Sequence, residues 1–156
     1  MALDATSRLA NFRDSIKKFF VDNLKTTNGI PLTFDKGLSQ PDIKNRSTKR
    51  WVAIHWGQVN FDTMSEGQID VICCTRQDNE GFSLAQLHDT VMGYLTDSSG
   101  TDGARRITFY QSSRDEAWTD KGGIIIQDII ASSQMEAPDE TKFIVLTCIL
   151  RFASKI

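Results

Sequence analysis

The feature that most constrains this chain is its last third, where Gly122–Ser133 (GGIIIQDIIASS) is followed by Lys142–Ala153 (KFIVLTCILRFA). Both runs are rich in β-branched side chains, lack proline and carry no charge cluster of the kind that blunts a sheet edge. As a strand rising about 3.3 Å per residue, each reaches roughly 40 Å, about the diameter of a compact domain of this length. Alternation sets Ile124, Ile126 and Ile130 on one face of the first strand and Ile125 and Ile129 on the other. In the second, Phe143, Val145 and Ile149 oppose Ile144, Leu146, Leu150 and Phe152. Strands that are apolar on both faces need cover on both. The expectation is a sheet that closes on itself or one whose second layer a neighbour supplies. That points to an assembling subunit more than to a self-contained enzyme.

A chain of 156 residues makes one domain with a hydrophobic core that needs no staple or metal. The formal net charge of −2 argues against nucleic-acid binding by the whole surface, which needs a basic excess. The opening MALDATSRLANFR lacks a signal-peptide apolar run, and no stretch approaches the roughly 18 apolar residues of a membrane span. The chain therefore reads as soluble and made in a cytoplasm, with no membrane partner. Cys73, Cys74 and Cys148 are an odd set within strand patterns, which reads as core filler.

Along the chain, Leu9, Phe12, Ile16, Phe19, Phe20 and Leu24 recur at helical spacing, predicting an amphipathic helix over about 5–26. Asn28-Gly29 stops it, and Arg13, Asp14, Lys17, Asp22 and Lys25 form its solvated face. A short strand over Ile30–Phe34 precedes a polar loop at 36–50. In that loop Lys36, Lys44, Arg46, Lys49 and Arg50 face one acid, Asp42; a stretch this long without structure is functional or mobile. Trp51–Phe61 and Gln68–Thr75 read as a hairpin joined through Thr63–Gly67. Ser83 and Gln86 have capping-box spacing, with Phe82 and Leu87 as the accompanying staple, opening a helix over about 83–97. Arg106–Gln111 is a further strand, 112–121 a charged connection, and Gln134–Thr141 the link that makes the two long strands an antiparallel pair. The order predicts a single α+β domain: a mostly antiparallel sheet with two helices on one face.

Candidate chemistry is sparse. His55 lies in a strand and His88 on the second helix, without HxxH, CxxC or HExxH spacing. Each is at most an acid–base candidate for a small enzyme or ligand-binding module. Cys73 and Cys74 are adjacent on a strand and so face opposite sides. No nucleophile elbow or phosphate loop occurs. No catalytic residue, metal site or cofactor is therefore assigned. Trp51 and Trp56 are expected on opposite faces, and Trp118, in a charged loop, reads either as an intersubunit anchor or as local packing. Trp118, Arg114, Lys44, Arg46, Lys49 and Arg50 are the candidate partner-facing residues. The basic loop contains no aromatic residue for base stacking. A DNA-binding role for it predicts salt-dependent affinity lost when Lys49 and Arg50 become alanine.

The layout of amphipathic helix, short strand and long loop continues through the hairpin WVAIHWG…GQIDVICCT to the helix GFSLAQLHDTVMGYL and closing strands ending ILRFASKI. This resembles the tail terminator and neck (head–tail joining) proteins of long-tailed bacteriophages. The resemblance implies a non-enzymatic virion protein, assembled in the host bacterial cytoplasm, that forms a homo-oligomeric ring, hexameric in the family. Its implied partners are further copies of itself, the tail tube protein and a neck or connector protein, with genome DNA passing through the lumen unbound. It also implies that the long closing strands extend the sheet toward neighbours, and that loops 36–50 and 97–105 order on assembly.

Overall fold

The structure, a computed structural model, describes residues 8–35, 49–61, 64–97, 99, 103–111, 118–138 and 140–154. Helix α1 (Arg8–Phe20) runs on as a π-helical segment, Val21–Thr26, into β1 (Leu32–Phe34). Strands β2 (Arg50–Asn60) and β3 (Ser65–Thr75) precede α2 (Phe82–Leu95). The chain closes with β4 (Arg106–Gln111), β5 (Thr119–Ala131), β6 (Met135–Glu136) and β7 (Lys142–Ser154). Among the described residues the seven strands form one curled sheet in the order β1-β2-β3-β7-β5-β4, with β6 added to β7. Every pairing is antiparallel except β1 with β2. The α+β expectation is met, and no helix among the described residues is long and apolar enough to cross a membrane.

Both helices lie on one sheet face. Phe12, Ile16, Phe20 and Leu24 of the first helical stretch and Leu84, Leu87, Val91 and Leu95 of α2 share a core with alternate residues of β2, β3, β4, β5 and β7. Phe152 is its aromatic hub, stacked on Phe12 at 4.8 Å and on Phe109 at 5.5 Å, with Phe61 edge-on at 6.0 Å. Each such side chain contributes about 1.5–3 kcal/mol by leaving water.

Helix α1 also reaches both borders of the sheet. On one flank Lys17 lies 5.5 Å from the Phe34 ring and Arg13 lies 5.3 Å from the Trp56 ring. On the other, the Ser15 hydroxyl accepts the Tyr110 N–H at 2.8 Å and lies 3.4 Å from the Tyr110 carbonyl, at the outer edge of β4. A helix thus occupies the seam that a further strand would close, and its Ser15 hydroxyl, which donates to the Asn11 carbonyl at 2.7 Å, takes up one backbone donor of the β4 edge that would otherwise invite strand addition. The solvated face expected for α1 is only partly so: Asp14 is buried and Arg13 is half-buried.

Two local expectations are corrected. The start of α2 is not a Ser83 capping box. Gly81, at φ +80°, takes the N-cap position without a side-chain bond, and Asp78 reaches forward instead. Its carboxylate accepts the Ser83 N–H at 3.3 Å, the Leu84 N–H at 2.9 Å and the Thr75 hydroxyl at 3.1 Å. The staple fails with it, since Leu87 is buried but Phe82 is 69% exposed. Secondly, the long C-terminal strands are mostly interior. β7 runs between β3 and β5, and β4 covers β5 as far as Ile125. Only the last turn-ward stretch of β5, beyond the Ile126 N–H bond to the Arg105 carbonyl, lacks a strand on that side among the described residues.

Candidate assembly surface

The outer face of the sheet follows from register. Across β2, β3 and β7 the first rows are Trp51–Cys74–Phe143 and Ala53–Ile72–Val145. Here Trp51, Ala53, Ile72 and Cys74 are buried as a second cluster against which Phe143 and Val145 pack. Trp51 and Trp56 do face opposite sides, as alternation demands. Both find cover: Trp51 is fully buried and Trp56 packs on the main core.

Further along, the outer face changes character. His55, Asp70, Thr147 and Ile130 align in the next row, and the Thr147 hydroxyl donates to Asp70 Oδ1 at 2.9 Å. Below them come Gln68, Ile149 and Asp128, then Glu66, Arg151, Ile125 and Arg106. Ile130 is 57% exposed, Ile149 and Ile125 are half-buried, and Asp128 and Arg151 are exposed. Three isoleucines on neighbouring rows form a stripe set among charges, which is the composition of a contact region and not of a closed core. The Asp128 carboxylate accepts the N–H of Ile129 at 3.0 Å, which occupies one backbone donor of the uncovered β5 edge.

Trp118 lies at the opposite end of β5. It is 42% exposed and meets Tyr110 edge-on at 5.6 Å. The Lys18 ammonium sits 5.5 Å from its ring and pairs with Asp22 at 2.9 Å. A groove of about 440 Å³ runs here, lined by Asp14, Lys17, Lys18, Val21, Asp22 and Trp118.

The candidate residues are not brought together. Arg50 is opposite Thr75, which is opposite Lys142 at the first residue of β7. Trp118 precedes Thr119 at the other end, where Gly122 meets Ser154. Lys49 and Arg50 are exposed but lie a strand length away, roughly 40 Å. Lys44, Arg46 and Arg114 fall outside the described residues, as does most of the basic loop at 36–50. The residues that the sequence reading left aside are Lys17, Lys18, Asp128 and Asp78. Each looked like ordinary solvated charge; tertiary placement sets Lys17 and Lys18 along the groove, while Asp78 and Asp128 find their backbone partners within six residues of chain.

Neither histidine lines the Trp118 groove. His55 is half-buried in its row, and His88 Nδ1 is 3.1 Å from Asp89 Oδ1. Among the described residues no group of three His, Cys, Asp or Glu side chains converges to hold a metal. Burial pushes the Cys73 thiol up to about 12, helped by Cys148, and pushes Cys148 up to about 12, helped by Asp70. Both stay protonated at neutral pH, which removes the thiolate that nucleophilic or metal chemistry requires.

No family model and no curated protein matches this chain. Among solved structures, one whose name carries no functional description aligns with a TM-score of 0.57 at 9% identity. The alignment covers 92% of this chain and 97% of that one, so the likeness is one of fold.

Proposed function

We propose that this protein is a structural ring subunit of a bacteriophage tail, of the tail terminator or neck type. In this reading it ends tail-tube polymerisation and offers the joining surface to the head. The observation that carries the reading is the isoleucine stripe on the outer face of β5 and β7, led by the 57% exposed Ile130. A β-branched apolar side chain held out on a rigid strand, in a row of charges, is the preorganised surface that a repeating assembly needs. The element order supports the same family through its resemblance.

The test is size-exclusion chromatography with light scattering, joined to negative-stain microscopy, on the protein alone and mixed with purified tail tube protein. The expected result is a ring of uniform subunit number, six by resemblance, seated at tube ends. A strictly monomeric protein in both arms, with tubes growing unchecked, sinks the reading.

A further inference from the structure

The border of the sheet opposite β4 is β1. Its pairing with β2 uses the Pro31 carbonyl, which accepts the Val52 N–H, and the Asp35 N–H, which donates to the Ile54 carbonyl. A parallel ladder takes alternate residues, so the N–H and C=O groups of Leu32 and Phe34 point away from β2. No strand receives them among the described residues, and both residues are only half-buried. Outward backbone groups of this kind are a template for a further strand. Cations flank them. Lys17 lies 5.5 Å from the Phe34 ring and Arg13, one helical turn earlier, 5.3 Å from the Trp56 ring, and these two rings stack at 6.1 Å. Neither cation has a carboxylate partner among the described residues, and the buried Nε of Arg13 has no hydrogen bond. At the other end of β1, Arg50 lies two residues before Val52, the partner of Leu32, and both Arg50 and Lys49 are exposed. Of the acids around this border, Asp22 is paired with Lys18, and Asp78 is held by the first turn of α2 and the Thr75 hydroxyl. Asp14 lines the Trp118 groove, which leaves the exposed Asp35 just after β1.

We infer that this edge receives an extended acidic segment of a partner protein, which joins the sheet as a strand outside Leu32–Phe34. Its main chain bonds to Leu32 and Phe34, and its glutamate or aspartate side chains, spaced two residues apart, meet Lys17 and Arg13 on the helix-bearing face. The cations set the sign of the partner. A half-buried guanidinium whose contact is a ring face keeps a desolvation cost, and a carboxylate brought to it returns a charge-assisted bond. Lys49 and Arg50 carry the positive border back along the strand. From Arg50 to the level of Ile54, the partner of Phe34, is about 13 Å, which a segment of about five extended residues covers. Main-chain bonds give such a complex its affinity and the charges give it its choice of sequence. A basic or neutral segment gains the same backbone bonds but leaves the cations unpaired. The inference stands apart from the ring reading, because β2 and β3 separate β1 from the isoleucine stripe on β5 and β7.

The experiment is fluorescence anisotropy on full-length protein with a labelled peptide that alternates glutamate with threonine. A lysine–threonine peptide and an N-methylated form of the acidic one serve as controls. The acidic peptide is expected to bind and the lysine peptide is not. N-methylation removes the donors of a strand and is expected to abolish binding whatever the variant's fold. Lys17→Glu is expected to weaken the acidic peptide at least about tenfold and to admit the lysine peptide in its place, with a circular dichroism spectrum unchanged. Arg13→Gln serves as the second variant should Lys17→Glu fold poorly, and it too is expected to weaken the acidic peptide. A wild type that ignores the acidic peptide overturns the inference, and so does equal binding by the variants. Binding that survives N-methylation but is displaced by inorganic phosphate is anion capture without an added strand, and it also overturns it. If Lys17→Glu abolishes self-association in light scattering and leaves peptide capture intact, the edge belongs to a second copy and the inference falls.

Discussion

The two halves of the sheet's outer face are built from similar residues and end differently. Around Trp51, Ala53, Ile72 and Cys74 the apolar rows are shut away from water. Around Ile125, Ile130 and Ile149 the rows stay half open, with Asp128, Arg151 and Glu66 between them. Neighbouring rows of one sheet share backbone, twist and strand direction, so the difference comes from what lies across them. A hydrophobic pattern states that a face wants cover; it does not state whether the cover is in the same molecule.

The largest expected effect should come from the closed half. Trp51→Ala empties a fully buried site and is expected to cost about 3–5 kcal/mol, measured by urea denaturation. A cost near zero would mean that this half is no more sealed than the other.

The boundary between the halves is next. β2 slips register between Trp56 and Val59, and at Gly57 an added Cβ would lie 2.6 Å from the Gln68 carbonyl oxygen. Gly57→Ala therefore forces the β2 and β3 backbones apart. It is expected to lower stability by about 1–3 kcal/mol, in the range of overpacking, and a circular dichroism melt reads it directly.

A smaller effect is expected beside the closed half, where Asp78 holds the first turn of α2. Burial raises its pKa, but the Leu84 and Ser83 N–H groups and the Thr75 hydroxyl outweigh that and hold it below its ordinary 3.8. A carboxylate lowered on folding stabilises above its unfolded value and loses that contribution as pH falls through the folded one. Asp78→Ala is expected to cost about 1 kcal/mol at neutral pH, the usual worth of a helix cap. The gap between wild type and variant should close below pH 3.8; a gap unchanged on acidification would remove the charged cap from the account.

The open half should respond least in stability and most in association. Ile130→Ala is expected to shift folding by no more than about 0.5 kcal/mol, as exposed positions do, while weakening self-association in light scattering. A large loss of stability there would make Ile130 a core residue and erase the contrast between the halves.

Much of this was legible from local pattern. The hydrophobic spacing of Phe12, Ile16, Phe20 and Leu24, the alternation in β2, β3 and β7, and the β4 run Arg106–Gln111 all appear where periodicity put them. Cys73 and Cys74 fall into separate clusters on opposite faces, as a period of two requires. The start of α2 was misread because a capping box assumes that the cap is local. Asp78 reaches the helix from outside it, through a turn whose course depends on Gly81 in the left-handed region.

The candidate surface was less legible, since Trp118 drew notice by its chemistry while simple alternation gave Ile130 to the wrong face and nothing marked Asp128 beside it. Residue order determined which side chains share a helix stripe and, in β3 and β7, which share a strand face, because those periods are properties of the backbone. In β5 the register shift between Ile126 and Asp128 overturns the expected alternation, bringing Ile129 to the core face with Ile124 and Ile126 and turning Ile130 outward with Ile125. Tertiary structure decided that β7 lies inside the sheet, that α1 occupies its seam and that one end of the outer face is sealed while the other stays open. Those outcomes depend on contacts between residues far apart in the chain, and no local period encodes them.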